Sequence, residues 1–184
     1  MIWLVVLLAI VLVVVLLLVL LYNRLVQQRN RVDNAWAQIE VQLKRRWDLI
    51  PNLVETVKGY AAHERETFEA VTQARTRAQQ AQTPAETAQA EGILGAALGR
   101  LFAVAEAYPE LQADENFRQL QTEVAETENR VAVSRQVYND AVLTYNNTVQ
   151  TFPGVVVAGP VGFSIREFFE VEEEAQREAP VVDF

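Results

Sequence analysis

The chain has 184 residues, a single histidine, no cysteine and a formal net charge of −8. The missing cysteines exclude disulfides, thiolate metal sites and thiol catalysis, and the acidic charge argues against nucleic acid as a partner. The length is enough for one domain and a membrane span.

The N-terminal segment is a continuous apolar run. Residues 2–21 include no charged or polar residue, no glycine and no proline. A helix of this length is about 30 Å long, which matches the hydrocarbon core of a bilayer. Trp3 and Tyr22 flank the run, where aromatic rings favour the headgroup region. A cleaved signal peptide would have a basic start, a shorter apolar core and a small-residue cleavage site. The run therefore predicts a transmembrane anchor over residues 1–22.

Charge is unevenly distributed outside the anchor. Residues 22–50 carry six basic and three acidic side chains, whereas residues 166–184 carry two basic and seven acidic ones. Both segments are compatible with a solvated surface, and the basic one also with contact to anionic lipid headgroups. We expect a helical bundle domain over residues 23–170 and an acidic C-terminal tail over residues 171–184.

The pattern after the anchor is amphipathic without a break. Apolar residues recur at helical spacing, namely Leu25, Val32, Trp36, Ile39, Leu43 and Trp47. The membrane helix should therefore run on into the first helix of the bundle. Pro51 should kink or restart the chain there, because proline removes a backbone donor. A second helix is expected over residues 52–81, with Gly59 inside it.

The next two helices have clearer boundaries. Thr83-Pro84-Ala85-Glu86 predicts a capping box at the start of a third helix that ends near residue 107. Its glycines at positions 92, 95 and 99 suggest close helix approach. Asp114 is the expected N-cap of a long fourth helix that ends at Pro153-Gly154. The apolar residues 155–163 contain Gly-Pro and should be extended or irregular.

The fourth helix has a continuous seam that alternates by three and four residues. Its predicted members are Phe117, Leu120, Val124, Thr127, Val131, Ser134, Tyr138, Ala141, Tyr145, Thr148 and Phe152. A Tyr-Asn-x-x-Val motif occurs at residues 22–26, 138–142 and 145–149. Since tyrosine and valine four apart share a helix face, the motif is typical of packing. A polar contact layer for a partner is the alternative.

The sequence offers no constellation typical of an enzyme. His63 is the only histidine, and Tyr60 stands where a di-iron motif would need glutamate. Neither serine has a nucleophile-elbow context. The acidic side chains at positions 123, 126 and 128 are ordinary for a surface helix. We therefore predict no catalytic residues, no cofactor-binding residues and no metal site.

Two long stretches resemble the bacterial LemA family. The first is YNRLVQQRNRVDNAWAQIEVQLKRRWDLIPNLVETVKGYAAHE at residues 22–64. The second is AEAYPELQADENFRQLQTEVAETENRVAVSRQVYNDAVLTYNN at residues 105–147, followed by the FPG turn. RRWDLIPNLV and EAYPEL are the most specific motifs. The resemblance implies a membrane-attached helical bundle with no catalytic residues to transfer. Some members are anchored by lipid on a cysteine before Tyr-Asn, where this chain has Leu21.

The sequence thus predicts an all-α fold: an elongated antiparallel bundle of about four helices behind a transmembrane helix. The leading hypothesis is a non-enzymatic scaffold that self-associates at the bacterial cytoplasmic membrane. Its partners would be the lipid bilayer, further copies and another membrane or envelope protein. The alternative is a membrane-shaping or envelope-stress protein that acts on lipids through its basic segment. Three arginines within 10 residues of the span favour a cytoplasmic C-terminal domain over an exported one.

Overall fold

A computed structural model describes residues 1–170, and no strand occurs among them. The described helices are α1 Ile2–Lys58, α2 Arg65–Gln80, α3 Pro84–Glu106, α4 Pro109–Ala113, α5 Glu115–Gln150 and α6 Gly154–Ala158. The predicted all-α fold is confirmed. The predicted acidic tail, residues 171–184, lies outside the described residues.

The first helix is 57 residues long and joins the apolar segment to the amphipathic part without a break. Every residue from 1 to 20 is exposed, whereas Leu25 and Ile39 are fully buried. Within residues 1–170, α1 is the one helix long and apolar enough to cross a membrane. A core helix of the same composition would be mostly buried, so the exposed apolar surface of α1 is consistent with a membrane anchor.

The predicted restart at Pro51 is wrong, because α1 continues to Lys58. The break falls instead at residues 59–64, inside the predicted second helix, and α2 begins only at Arg65. Gly59 thus follows the end of a helix and is not inside one. Tyr60 also lies in this break and is 40% exposed.

The predicted caps of α3 and α5 are both present. The Thr83 side chain accepts a hydrogen bond from the Glu86 N–H at 3.2 Å, and the Glu86 carboxylate accepts one from the Thr83 N–H. The Asp114 carboxylate accepts a hydrogen bond from the Phe117 N–H at 2.9 Å. These caps pair backbone donors that the first turn of a helix leaves free.

The seam of α5 follows the predicted spacing from Phe117 to Tyr145, with Val131 and Tyr138 buried. It departs from the prediction at its end. Val149 is buried, whereas Phe152 lies beyond the helix and is 82% exposed. The seam ends early because the helix stops at Gln150.

Two further expectations are wrong. A Cβ atom added at any of the three α3 glycines would meet no atom within 4 Å, so they mediate no close helix contact. Part of the segment expected to be irregular, residues 155–163, is helical, since α6 spans Gly154–Ala158. The structure also adds the short α4, which follows Tyr108 and starts at Pro109.

The described residues form two compact units. The first consists of residues 1–40 and 132–167. Its core joins Leu25, Val32 and Ile39 of α1 to Tyr138 and Tyr145 of α5, all almost fully buried. The second consists of residues 41–131 together with residues 168–170. Its core comes from the end of α1, α2, α3, α4 and the start of α5.

Candidate functional site

A buried polar cluster lies in the core of the second unit. Arg46 is 4% exposed and Glu91 is 8% exposed. Arg46 Nη1 lies 3.2 Å from Glu91 Oε2, and the Trp47 indole donates a hydrogen bond of 2.7 Å to Glu91 Oε1. Glu128, which is largely exposed, lies 3.7 Å from Arg46 Nη2. Arg46 Nε has no hydrogen-bond partner in the described structure.

Opposing effects set the protonation of Glu91. Burial raises the pKa of this carboxyl, and the charge of Glu128 raises it further. The hydrogen bond from Trp47 and the charge of Arg46 lower the pKa. The carboxylate is therefore held in the core by these two neighbours, and it would be costly to bury without them.

A second contact of Trp47 explains why α1 continues through Pro51. Proline has no N–H, so the Trp47 carbonyl loses its usual donor four residues later. Arg75 Nε of α2 donates a hydrogen bond of 2.8 Å to that carbonyl. The RRWDLIP motif thus contributes a buried ion pair, an indole donor and a carbonyl that α2 satisfies. Each of these roles is structural.

Replacing Arg75 with methionine should therefore cost more when Pro51 is present than when it is absent. We expect Arg75→Met to destabilise the chain by about 1 kcal/mol, the usual value for one hydrogen bond. In a Pro51→Ala background the alanine N–H can serve the Trp47 carbonyl, so most of that cost should vanish. Urea unfolding of the four combinations measures this coupling. Strictly additive effects would contradict it, and exposed Arg77→Met is the matched control.

In the first unit, a segment without regular secondary structure after α6 forms hydrogen bonds with α5 and an ion pair with α1. The Asn146 side chain forms two hydrogen bonds with the backbone of Arg166, at 2.9 and 2.8 Å. Tyr138 donates to the Glu167 carbonyl at 2.8 Å, and Arg166 Nη2 lies 3.0 Å from Asp33 Oδ1. We call residues 163–167 the strap.

The Tyr-Asn-x-x-Val motifs have packing roles here. Tyr138 and Tyr145 are buried, and the Tyr138 ring lies 5.3 Å from that of Trp36. Burial raises the pKa of Tyr138 to about 12. The charge of Arg166 lowers this pKa, and the charges of Glu167 and Asp33 raise it by smaller amounts. The phenol therefore stays protonated and can donate to the strap. In the motif that begins at residue 22, Tyr22 is half-exposed. The Tyr22 and Phe163 rings pack edge to face, with their centroids 5.8 Å apart.

An open cavity lies in each of the two units. In the second unit, a cleft of about 640 Å³ lies between the end of α1 and α2, with charged groups such as Lys58, Arg65 and Glu69 at its lining. In the first unit, a groove of about 450 Å³ has an almost wholly apolar lining drawn from α1 and the α6 region. The cleft lining includes two carboxylates, Glu55 and Glu69, and Glu55 forms an ion pair with Lys58 at 3.3 Å. The lining of the groove contains one charged side chain, Arg24, and no carboxylate.

The residues that sequence reasoning weighed for chemistry are not brought together. His63 is exposed, and Glu123 accepts a hydrogen bond from Gln119 at 3.0 Å. Within residues 1–170 there is no group of three or more His, Cys, Asp or Glu side chains that could hold a metal ion. Sequence reasoning missed Glu91 and the role of Arg46. The available signal was spacing, since Arg46 lies three residues after Leu43 and four before Ile50, on the buried face.

The fold and these contacts define an all-α helical bundle protein with an exposed apolar N-terminal helix. The family model of LemA proteins matches residues 35–184. The chain belongs to the LemA family.

Individual bacterial relatives agree with this assignment. Magnetosome protein MamQ 2 of Paramagnetospirillum magneticum is 28% identical, over 88% of this chain and 68% of its own length. Magnetosome protein MamQ of Magnetospirillum gryphiswaldense is 25% identical over the same shares. Protein LemA of Metamycoplasma hominis is 29% identical over 71% of this chain and 60% of its own length. None of these names states a reaction.

Proposed function

We propose that the chain is a non-enzymatic, membrane-anchored helical scaffold that binds further copies of itself and other membrane or envelope proteins. The observation that carries the proposal is α1, a single helix that is apolar and exposed over residues 1–20 and part of a buried seam from Leu25 onward. In the proposed arrangement, such a helix would hold a folded bundle directly at a bilayer surface.

The first unit also offers a surface for protein contact. Val133 and Val137 lie one turn apart on α5 and are 64% and 49% exposed. Val137 borders a polar groove lined by residues of α1 such as Asn30 and Gln38. An exposed apolar pair with a polar rim is typical of protein interfaces, and it supports a partner at this face.

The orientation belongs to the same proposal. Arg24, Arg29 and Arg31 follow the apolar run within 10 residues. Basic residues close to a span favour the cytoplasmic side. The C-terminal domain would then lie in the cytoplasm, at the inner membrane. Fusions at Phe184 to a cytoplasmic and to an export-dependent reporter test this, and activity of the exported reporter alone would reverse the orientation.

Self-association is tested by stepwise photobleaching of the tagged full chain in native membranes at normal abundance. We expect several bleaching steps per spot, and fewer for the Val133→Lys/Val137→Lys double variant. Val41→Lys is the matched control, because Val41 is equally exposed in the second unit. Single-step bleaching of the unaltered chain would contradict self-association.

The alternative is action on lipids through the basic segment. Arg24 and Arg31 are exposed, whereas Arg29 lies over the Phe163 ring at 5.2 Å. If the full chain deforms anionic vesicles, and Arg24→Gln/Arg31→Gln abolishes the effect, this alternative is favoured over the scaffold.

A further inference from the structure

The end of α5 and the region after it form an uncharged part of the chain. Residues 141–165 contain no Asp, Glu, Lys or Arg. Several large apolar side chains in this part are exposed, namely Phe152, Val155, Val156, Val161 and Ile165, at 48–82%. In water, such a cluster on a small helix-turn segment would be unfavourable, at about 25 cal/mol per Å² of apolar surface.

This part of the chain lies beside the apolar N-terminal helix, within the same compact unit. Phe152, Pro153, Val156 and Val157 line one groove together with α1 residues from Val14 to Leu21. Arg24, the first charged residue of α1, also lines it. The exposed apolar surface of α6 is therefore continuous with that of the proposed membrane span.

If α1 spans a bilayer, the groove lies at a shallow depth within it. Val14 and Leu21 are seven residues apart, or about 10 Å along a helix. Leu21 ends the apolar run that the membrane reading places in lipid. The α6 region thus lies level with the outermost part of one leaflet, the depth of about 5–10 Å that interfacial segments reach.

The α6 region also pairs part of its own backbone, as a segment at that depth must. The Val155 N–H bonds to the Thr151 carbonyl at 2.9 Å, and the Phe163 N–H bonds to the Ala158 carbonyl at 2.9 Å. The turn is tight, because a Cβ atom at Gly154 would overlap the backbone carbonyl of Thr148.

From these observations we infer that residues 152–161 are a second membrane contact, which inserts its exposed apolar side chains into the acyl chains of the leaflet adjacent to the bundle. This inference rests on the proposed membrane anchoring by α1. It assigns the exposed apolar surface of α6 to lipid and not to a second copy of the chain. Arg24, at the edge of the groove, would meet the lipid phosphates.

The test is spin-label accessibility in the full chain, reconstituted in vesicles of phosphatidylethanolamine and phosphatidylglycerol. The absence of native cysteine allows single labels without further changes. The test label replaces Val156, a span reference replaces Leu17, and an aqueous reference replaces Val41. Val41 is a matched control, since it is an equally exposed valine that lies outside the proposed contact surface of Val133 and Val137.

We expect the label at Val156 to collide with oxygen nearly as often as the label at Leu17. It should collide with a water-soluble nickel chelate several-fold less often than the label at Val41. If Leu17 is in lipid but Val156 matches Val41, the inference is overturned while the anchor stands. Shielding of Val156 from both reagents would indicate protein contact and also overturn it. An aqueous Leu17 would contradict the anchor itself, and the inference with it.

Discussion

Replacing Glu91 with leucine should destabilise the bundle by about 3 kcal/mol, which is the lower end of the cost of breaking a buried ion pair. The change leaves the buried Arg46 guanidinium without its nearest carboxylate, and it also removes the acceptor of the Trp47 indole. Glu128 at 3.7 Å is a weaker substitute, because it is 65% exposed. Urea unfolding of the detergent-solubilised full chain, followed by tryptophan fluorescence, measures the loss.

Two further variants test whether the loss of stability comes from the buried ion pair. Glu128→Leu removes the exposed partner of Arg46 and should cost less than about 1 kcal/mol. The double variant Arg46→Met/Glu91→Leu removes both buried charges and should recover most of the stability, as apolar replacements of buried pairs often do. Arg46 Nε, which has no hydrogen-bond partner in the described residues, adds to the benefit of removing the arginine. A cost for Glu91→Leu no larger than that for Glu128→Leu would contradict the buried pair.

Replacing Tyr138 with aspartate should unfold the first unit. Tyr138 is 3% exposed, packs against Trp36 and donates to the Glu167 carbonyl. An aspartate there would bury an unpaired carboxylate, at a cost of several kcal/mol, and would also leave the strap without its donor. Val137→Asp is the matched control, since the neighbouring Val137 is half-exposed and should cost about 1 kcal/mol or less.

The measurement for this pair is hydrogen exchange of the full chain in micelles. The Tyr138 variant should lose protection along α5 and at the Arg166 amide, whose hydrogen bond to Asn146 fastens the strap. The Val137 variant should keep both. Equal protection in the two variants would show that Tyr138 does not hold this unit together.

Local signals predicted much of the fold. The capping box at Thr83, the N-cap at Asp114 and the seam of α5 depend on neighbours within a few residues, so the sequence displays them directly. The α1 stripe from Leu25 to Leu43 is predicted for the same reason.

The errors arise where distant residues decide the outcome. Pro51 does not end α1, because Arg75, 28 residues away from Trp47, supplies a donor for the orphaned carbonyl. The strap depends on Asn146 and Arg166, which are 20 residues apart. No local sequence pattern indicates which distant residues form these hydrogen bonds. By contrast, the buried position of Arg46 could have been predicted from the sequence. Arg46 lies at the helical spacing of the apolar residues, and a charged residue at such a position indicates a buried partner.

The proposed scaffold and the second membrane contact both depend on residues 2–21 of α1 as a bilayer anchor. Alkaline extraction of native membranes, followed by the intact mass of the protein, tests it most directly. We expect the uncleaved chain to remain in the membrane pellet. The Leu8→Arg/Val15→Arg variant should be released, since each central arginine costs about 2.5–3.5 kcal/mol. Recovery of the unaltered chain in the soluble fraction, or of a chain that has lost its first 22 or so residues, would contradict the anchor.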